Sequence, residues 1–475
     1  MYKLLKYLDN ININVPKLNS NSYKKFYNYI INLYKTIKIE DINIEYNVNE
    51  INLTKHNISN NAKNETTEHN EKSQFLENSN ILKIINYYYY NNSLDTLLET
   101  YIEDDKEFFK QLLEKQNYNG LITFLNKNGQ PLINNIYNLS INNKLPKNIF
   151  IHDKDIYNQF ISITNILSIE TMTYLHKYKI VYNTFTINLN IYNKKKQISK
   201  KLVNKLIKLI LLMCLFKKQT NININIDIYL TSNKKELPVY YKNLGCNEVN
   251  SGLSMEYTNK KKIIIYRIEE LNKVLIHELI HYLHLDLGLA FGSNIDKNSI
   301  KYNFDEYFDI NTKLKLNETY TEIIANIINC FIFSYEYNNK KDLTLLKELL
   351  EYEIKFSCYQ SAKILVHYGY KNCNDFFKSY NTKLFKQTSA IFEYYILKTA
   401  LLFNLNDILN IFNSNYNQYY LLKNKDDFKT IYLDLLLYYS TQKDFINKLS
   451  EFFKYIYSNK KPQLLYKNLR MTIFG

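Results

Sequence analysis

The sequence predicts an α+β chain, mostly helical, with a small mixed β-sheet packed on one unusual helix and an all-helical C-terminal part. Three observations carry this. Apolar residues alternate strictly in two short stretches, Phe185, Ile187, Leu189 and Ile191, then Ile222, Ile224, Ile226 and Ile228, as in half-buried strands. A nearly uncharged helical segment, residues 274–283, carries His277, Glu278 and His281. Beyond Asn338 the apolar residues recur at helical spacing almost to the end. With 475 residues and 46% hydrophobic content the chain can bury large cores, and its pattern divides into 1–150, 151–300 and 301–475.

In the N-terminal region, residues 23–38 form an amphipathic segment with Pro16 among polar residues ahead of it. Residues 54–73 carry almost no large apolar side chain and read as a flexible linker or surface loop. Ser93 is placed to cap one long helix, LDTLLETYIEDDKEFFKQLLEKQ, which ends before the Asn119-Gly120 turn. The run Tyr87 to Tyr90 fits a helix face, and Pro131 and Pro146 bracket a loop-rich boundary.

From residue 153 a helix near 156–178 is expected, then the strand around Phe185, then a helix capped by Ser199, then the strand around Ile224. Residues 253–257 and 262–267 make two short strands joined by a polar turn. Glu269 and Glu270 stand where acidic residues favour a helix start.

The net charge of +15 invites a nucleic-acid or membrane-surface reading. Against it, Asn, Lys, Ile and Tyr dominate, tryptophan is absent and arginine occurs only at Arg267 and Arg470. The favoured residues have A/T-rich codons, so the basicity reflects coding bias, as in a large DNA virus or an A/T-rich microbe. With only two arginines the chain is poor in the usual bidentate reader of phosphate and guanine. No specific nucleic-acid partner is therefore expected. The N-terminus lacks the apolar run of a signal peptide. The longest apolar stretch, residues 206–216, is too short to span a bilayer, so a soluble intracellular protein with no membrane partner is expected. The five cysteines, Cys214, Cys246, Cys330, Cys358 and Cys373, are odd in number and form no C-x-x-C pair, which argues against a disulfide framework.

The chemistry concentrates at His277-Glu278-x-x-His281. On a helix, residues four apart differ by about 40° in azimuth and about 6 Å along the axis, so both imidazoles leave one face together. Two such nitrogens make half of a tetrahedral metal site. A catalytic zinc takes three protein ligands and leaves the fourth vertex to water, and Glu278 is placed to serve as general base. Val274, Leu275, Ile276, Leu279, Ile280 and Leu283 supply the apolar flanks of a buried metal helix.

Motif and preceding strand-helix layout together resemble the zincin metallopeptidases. That resemblance implies a Zn2+ cofactor, a peptide or protein substrate, and an edge strand near residues 250–255 that pairs with extended substrate backbone. The metzincin continuation is missing, because Leu287 stands where its third histidine would be. His284 shares the helix face but lies nearly a turn further on, which fits a supporting or core residue better than a ligand.

The gluzincin type is better matched. It draws a glutamate from a later helix, here expected over 316–328 with Asn317 as cap. Glu322, Ala325 and Asn326 resemble its E-x-x-A-D pattern, with asparagine in place of aspartate. Glu318 resembles another version of the same helix. The preferred ligand set is His277, His281 and Glu322, with Glu318 as the alternative.

Candidate donors for an oxyanion are His367, Tyr368, Tyr394, Tyr395 and Arg470. The resemblance implies a zinc-dependent peptidase. The alternative is a catalytically inactive zincin fold serving as a structural or interaction module, for instance in a viral particle. Retention of Glu278, which zinc binding itself does not require, argues for the enzyme.

Overall fold

The structure is a computed structural model. It describes residues 2–51, 94–99, 101–114, 168–169, 171–217, 221–238, 243–255, 261–286, 304–310, 314–377, 384–415, 425–459 and 464–474, with Ile85, Leu121, Phe124, Leu132 and Asn165. The expected linker 54–73, the Ser93 cap, the Tyr87 to Tyr90 face, the Asn119-Gly120 turn and Pro131 and Pro146 lie outside the described residues.

The architecture is α+β. Its elements begin with α1 (Tyr2–Asp9), α2 (Ser20–Thr36), β1 (Asn43–Glu50), α3 (Glu103–Glu114), β2 (Tyr174–Tyr182), β3 (Phe185–Asn193), α4 (Lys200–Lys217), β4 (Asn223–Tyr229), β5 (Gly252–Met255) and β6 (Lys262–Ile265). They continue with α5 (Leu271–Tyr282), α6 (Leu316–Asn338), α7 (Leu343–His367), a π-helical turn Phe392–Leu397 running into α8 (Lys398–Phe403), α9 (Leu405–Asn415), α10 (Lys425–Thr441) and α11 (Lys443–Ser458). Among the described residues six strands form one sheet in the order β1-β2-β3-β4-β6-β5. β6 pairs parallel to β4, with Ile226 opposite Ile263, and β5 runs antiparallel to β6, with Gly252 opposite Ile265. The sheet is therefore mixed, and β5 stands at its end.

The chain separates into two compact units, one of residues 1–47, 176–191 and 197–475, the other of 48–175 and 192–196. In the second unit, the one long helix expected from residue 94 onward is broken. A turn at Leu94–Leu97 stops, Tyr101 N bonds back to Leu98 O, and α3 restarts at Glu103, Asp104 and Asp105. Three acids in a first turn complement the helix dipole and mark a start of their own.

In the first unit, the N-terminal helix α2 packs among the C-terminal helices, which is why the boundaries anticipated at 150 and 300 do not follow the observed units. Tyr23, Phe26, Tyr27, Ile30 and Ile31 are wholly buried, and Phe26 and Tyr27 meet Phe331 of α6 edge-on at 5.4 and 5.3 Å. Full burial of such a ring contributes about 2–3 kcal/mol. Tyr34 Oη donates to Glu336 of the same helix.

The helix expected to reach Tyr178 is instead a strand from Tyr174. His176, Tyr178 and Ile180 are buried while Lys177 and Lys179 point out, a period of two that belongs to a strand. β3 and β4 fall where alternation placed them, burying Phe185, Ile187, Leu189, Ile191, Ile224, Ile226 and Ile228. Asn317 does not cap α6. Lys315 occupies that position without a side-chain cap, and the helix runs ten residues past Ile328. The cysteines are free, and all but Cys246 are buried.

Residues 468–474 thread through the interior of this unit without helix or strand of their own. Side chains satisfy their peptide groups. Glu270 Oε1 accepts from Met471 N and Thr472 N at 2.7 and 2.6 Å, and Glu353 Oε2 accepts from Ile473 N at 3.0 Å. Gln360, Lys398 and Asn329 donate to the carbonyls of Arg470, Met471 and Phe474. This strap lies against the helices that hold the candidate site. No described helix is long and apolar enough to cross a membrane.

Candidate metal centre

The site lies within the first unit, where α5 crosses α6. Glu270, just ahead of α5, adopts a left-handed conformation (φ 60°), which an L-residue takes at a cost. Its buried carboxylate holds Lys235 Nζ at 2.7 Å and the strap amides, and these contacts fix the start of the helix. At the other end His284, also left-handed (φ 54°), closes α5, with Leu285 N returning to Ile280 O at 2.9 Å. His284 thus ends the helix rather than joining the cluster. The turn brings Asp286 back beside His281.

His277 and His281 project from one face of α5, with their Nε2 atoms 3.1 Å apart. Glu318, from the first turn of α6, places Oε2 3.3 Å from His277 Nε2 and 3.4 Å from His281 Nε2. Among the described residues these three side chains form a group able to hold an ion. Each imidazole turns its other nitrogen to a carboxylate. Asp286 Oδ2 sits 2.7 Å from His281 Nδ1, and Glu322 Oε2 sits 3.0 Å from His277 Nδ1. Such bonds fix the ring orientation and leave Nε2 to face the shared point.

Glu322, the preferred third ligand from the sequence, therefore stands behind His277. Both its oxygens are also held by Lys273 Nζ, at 2.6 and 2.8 Å. Glu318, one turn earlier, occupies the position in front. The E-x-x-x-acid logic of the helix remains, but its register begins at 318, with Glu322 as the acid four places on. Asn326, expected in that supporting part, instead donates to Met471 O at 3.5 Å.

The residues present suit zinc. A tetrahedron with bonds of about 2.05 Å has edges of about 3.3 Å. The three ligand-atom separations, 3.1, 3.3 and 3.4 Å, are of that size. His281 and Glu318 side chains keep 14% and 16% of their exposure, so the group is not wholly sealed from solvent.

Charge points the same way. Burial opposes protonation of both histidines, yet the surrounding carboxylates outweigh it and hold His277 above its ordinary value and His281 well above it. Burial likewise works against ionised Glu318, but the two imidazoles keep it well below the usual carboxylate range. This cluster demands positive charge, from protons or from a cation.

Glu278 is 7% exposed, and burial raises its carboxyl above the ordinary value, with the imidazoles pulling the other way. Above it lies the end strand β5. A Cβ at Gly252 would sit 3.0 Å from Glu278 Oε1 and 3.0 Å from Val274 Cγ1, so glycine lets the strand backbone lie directly on the carboxylate.

Of the five suggested oxyanion donors, Tyr394 alone reaches the cluster, its hydroxyl donating to Glu318 Oε2 at 3.0 Å. It sits in the π-helical turn, a local widening often found at functional sites. Tyr395 donates to Leu469 O and Tyr368 to Lys386 O; His367 packs on Tyr368, and Arg470 belongs to the strap. Asp286 and Lys273 were not anticipated. An acid five places past His281, and a lysine one turn ahead of His277 in an otherwise apolar helix, were the available signals.

The fold and centre define an α+β protein with a His, His, Glu cluster suited to a single metal ion. The chain is similar to an uncharacterized protein, R210, of Acanthamoeba polyphaga mimivirus, with 29% identity over 291 residues that cover 57% of this chain and 72% of the relative. No family model and no solved structure matches the chain.

Proposed function

We propose that the protein is a zinc-dependent metallopeptidase of gluzincin type, acting on a peptide or protein. The observation that carries this is the set of three near-tetrahedral separations among His277 Nε2, His281 Nε2 and Glu318 Oε2, with Glu278 beside them. Zinc held there would supply Lewis acidity toward a water and a peptide carbonyl. The mixed sheet ending in β5 and the helix pair α5 and α6 support a zincin-like arrangement.

The chain's own residues have separable tasks. β5 offers backbone to an extended substrate by strand addition. Glu278, whose carboxyl burial raises above its ordinary value, accepts the proton of the attacking water and delivers it to the leaving amine. Tyr394 is held by burial and by the nearby carboxylates in its protonated form, and the hydrogen it now gives to Glu318 would turn to the developing oxyanion. The A/T-codon composition and the likeness to a mimivirus protein support a viral origin.

The test is metal analysis of the purified protein together with Glu278→Gln in a peptide-cleavage assay. One zinc per chain in both forms, with turnover lost in the variant, is the expected result. Zinc in both and turnover in neither favours a structural or interaction module, and a protein without zinc ends the proposal.

A further inference from the structure

Lys273 lies one turn ahead of His277 on α5 and is 2% exposed. Its ammonium bonds to both oxygens of Glu322, at 2.6 and 2.8 Å, and lies 3.5 Å from Met471 Sδ of the strap. Glu322, wholly buried, also meets His277 Nδ1 at 3.0 Å. Lysine, carboxylate and imidazole form a chain running back from the metal cluster into the interior. A metal site of two histidines and a glutamate needs no lysine, and burying one is costly unless the pair is well made.

The geometry points to Lys273 as a positioning residue for metal binding. It pins Glu322 against His277 Nδ1, which aims Nε2 at the ion, and it occupies the carboxylate so that Glu318 serves as the third ligand. This rests on the peptidase reading only in that the cluster binds metal. Catalysis plays no part in the argument. The strap completes the arrangement, since Met471 covers Lys273 while its carbonyl engages Lys398 at 2.8 Å.

A double-mutant cycle tests it on the full chain with Zn2+ affinity, by competition with a chromophoric chelator, and with the visible spectrum of the Co2+ form as readouts. The proteins are wild type, Lys273→Met, Glu322→Gln, the double variant, and Glu318→Gln as a ligand-loss control. Each of the first two variants is expected to weaken Zn2+ binding by about 10–100-fold and to shift the Co2+ bands, the range for losing an outer partner of a ligand histidine. The double variant should bind no more weakly than Glu322→Gln alone, because Lys273 acts through that carboxylate. If Lys273→Met does not fold, the comparison of Glu322→Gln with the double variant still decides.

Wild-type affinity and spectrum in Lys273→Met, or a further loss in the double beyond Glu322→Gln, overturns the assignment. A wild type that binds no Zn2+ overturns the metal centre and this inference together. Zinc binding with the expected cycle but no peptide cleavage overturns the peptidase reading alone.

Discussion

Exchanging Glu318 and Glu322 for glutamine, one at a time, should give opposite patterns in metal binding and folding. Glu318 is the charged member of the cluster and keeps 16% of its side-chain exposure, facing the imidazoles and the Tyr394 hydroxyl. Its loss removes a ligand, so Zn2+ affinity should fall by more than about 100-fold, beyond the range for a supporting residue. Stability of the metal-free protein should fall less than in Glu322→Gln, because Glu318 keeps part of its exposure, and solvent screens the pairing with the imidazoles that it loses.

Glu322 is wholly buried and ion-paired with Lys273. Its replacement leaves a lysine in the interior without its carboxylate, and breaking such a pair costs about 3–5 kcal/mol. Zinc affinity should drop by only about 10–100-fold, or about 1.4–2.7 kcal/mol. Chelator competition and urea unfolding of the metal-free proteins measure the two quantities. A Glu322→Gln protein without zinc beside a Glu318→Gln protein that retains it would refute the observed register of the helix pair.

Further predictions concern single groups. Tyr394→Phe should lower kcat by about 100–1,000-fold with zinc content and KM little changed, since it removes one oxyanion donor; a normal kcat in a steady-state assay excludes that role. Gly252→Ala puts a methyl 3.0 Å from Glu278 Oε1 and Val274 Cγ1, so activity should fall while zinc stays bound, to be read by cleavage rate against metal analysis. Asp286→Asn should weaken zinc binding by about 10–100-fold through His281.

Burial raises Glu393 from its ordinary 4.5 to about 7, with the Lys315 amide and Gln387 opposing the shift. The folded chain then holds an extra proton between those values, so stability should decline by about 3 kcal/mol as pH rises from 4.5 to 7. Urea melts across that window should show the slope in wild type, flattened in Glu393→Gln.

The central helix and both alternating strands were legible because their signals are local, a four-residue spacing and a period of two. The later helix was legible as an element but not in its register. Glu318 and Glu322 lie one turn apart on the same side, and choosing between them requires the position of Lys273, forty-nine residues from Glu322. The strand from Tyr174 was hidden because polar Lys177 and Lys179 among Leu175, Tyr178 and Ile180 fit either period over so short a run. Asp286 reaches His281 only after the left-handed turn at His284, a conformation that histidine does not announce.

The buried strap bears on the order in which the molecule is made. Glu270 and the amide of Met471 that it captures are 201 residues apart. At a synthesis rate of roughly 5–20 residues per second, on the order of 10–40 s pass between their emergence from the ribosome. Through that interval the carboxylates of Glu270 and Glu353 await the amides that will satisfy them. The histidine helix therefore acquires its dry backing only after residues 468–474 have been made. A nascent chain arrested before residue 468 should expose these acids to solvent and hold metal loosely, which ties competence at the centre to synthesis of the strap.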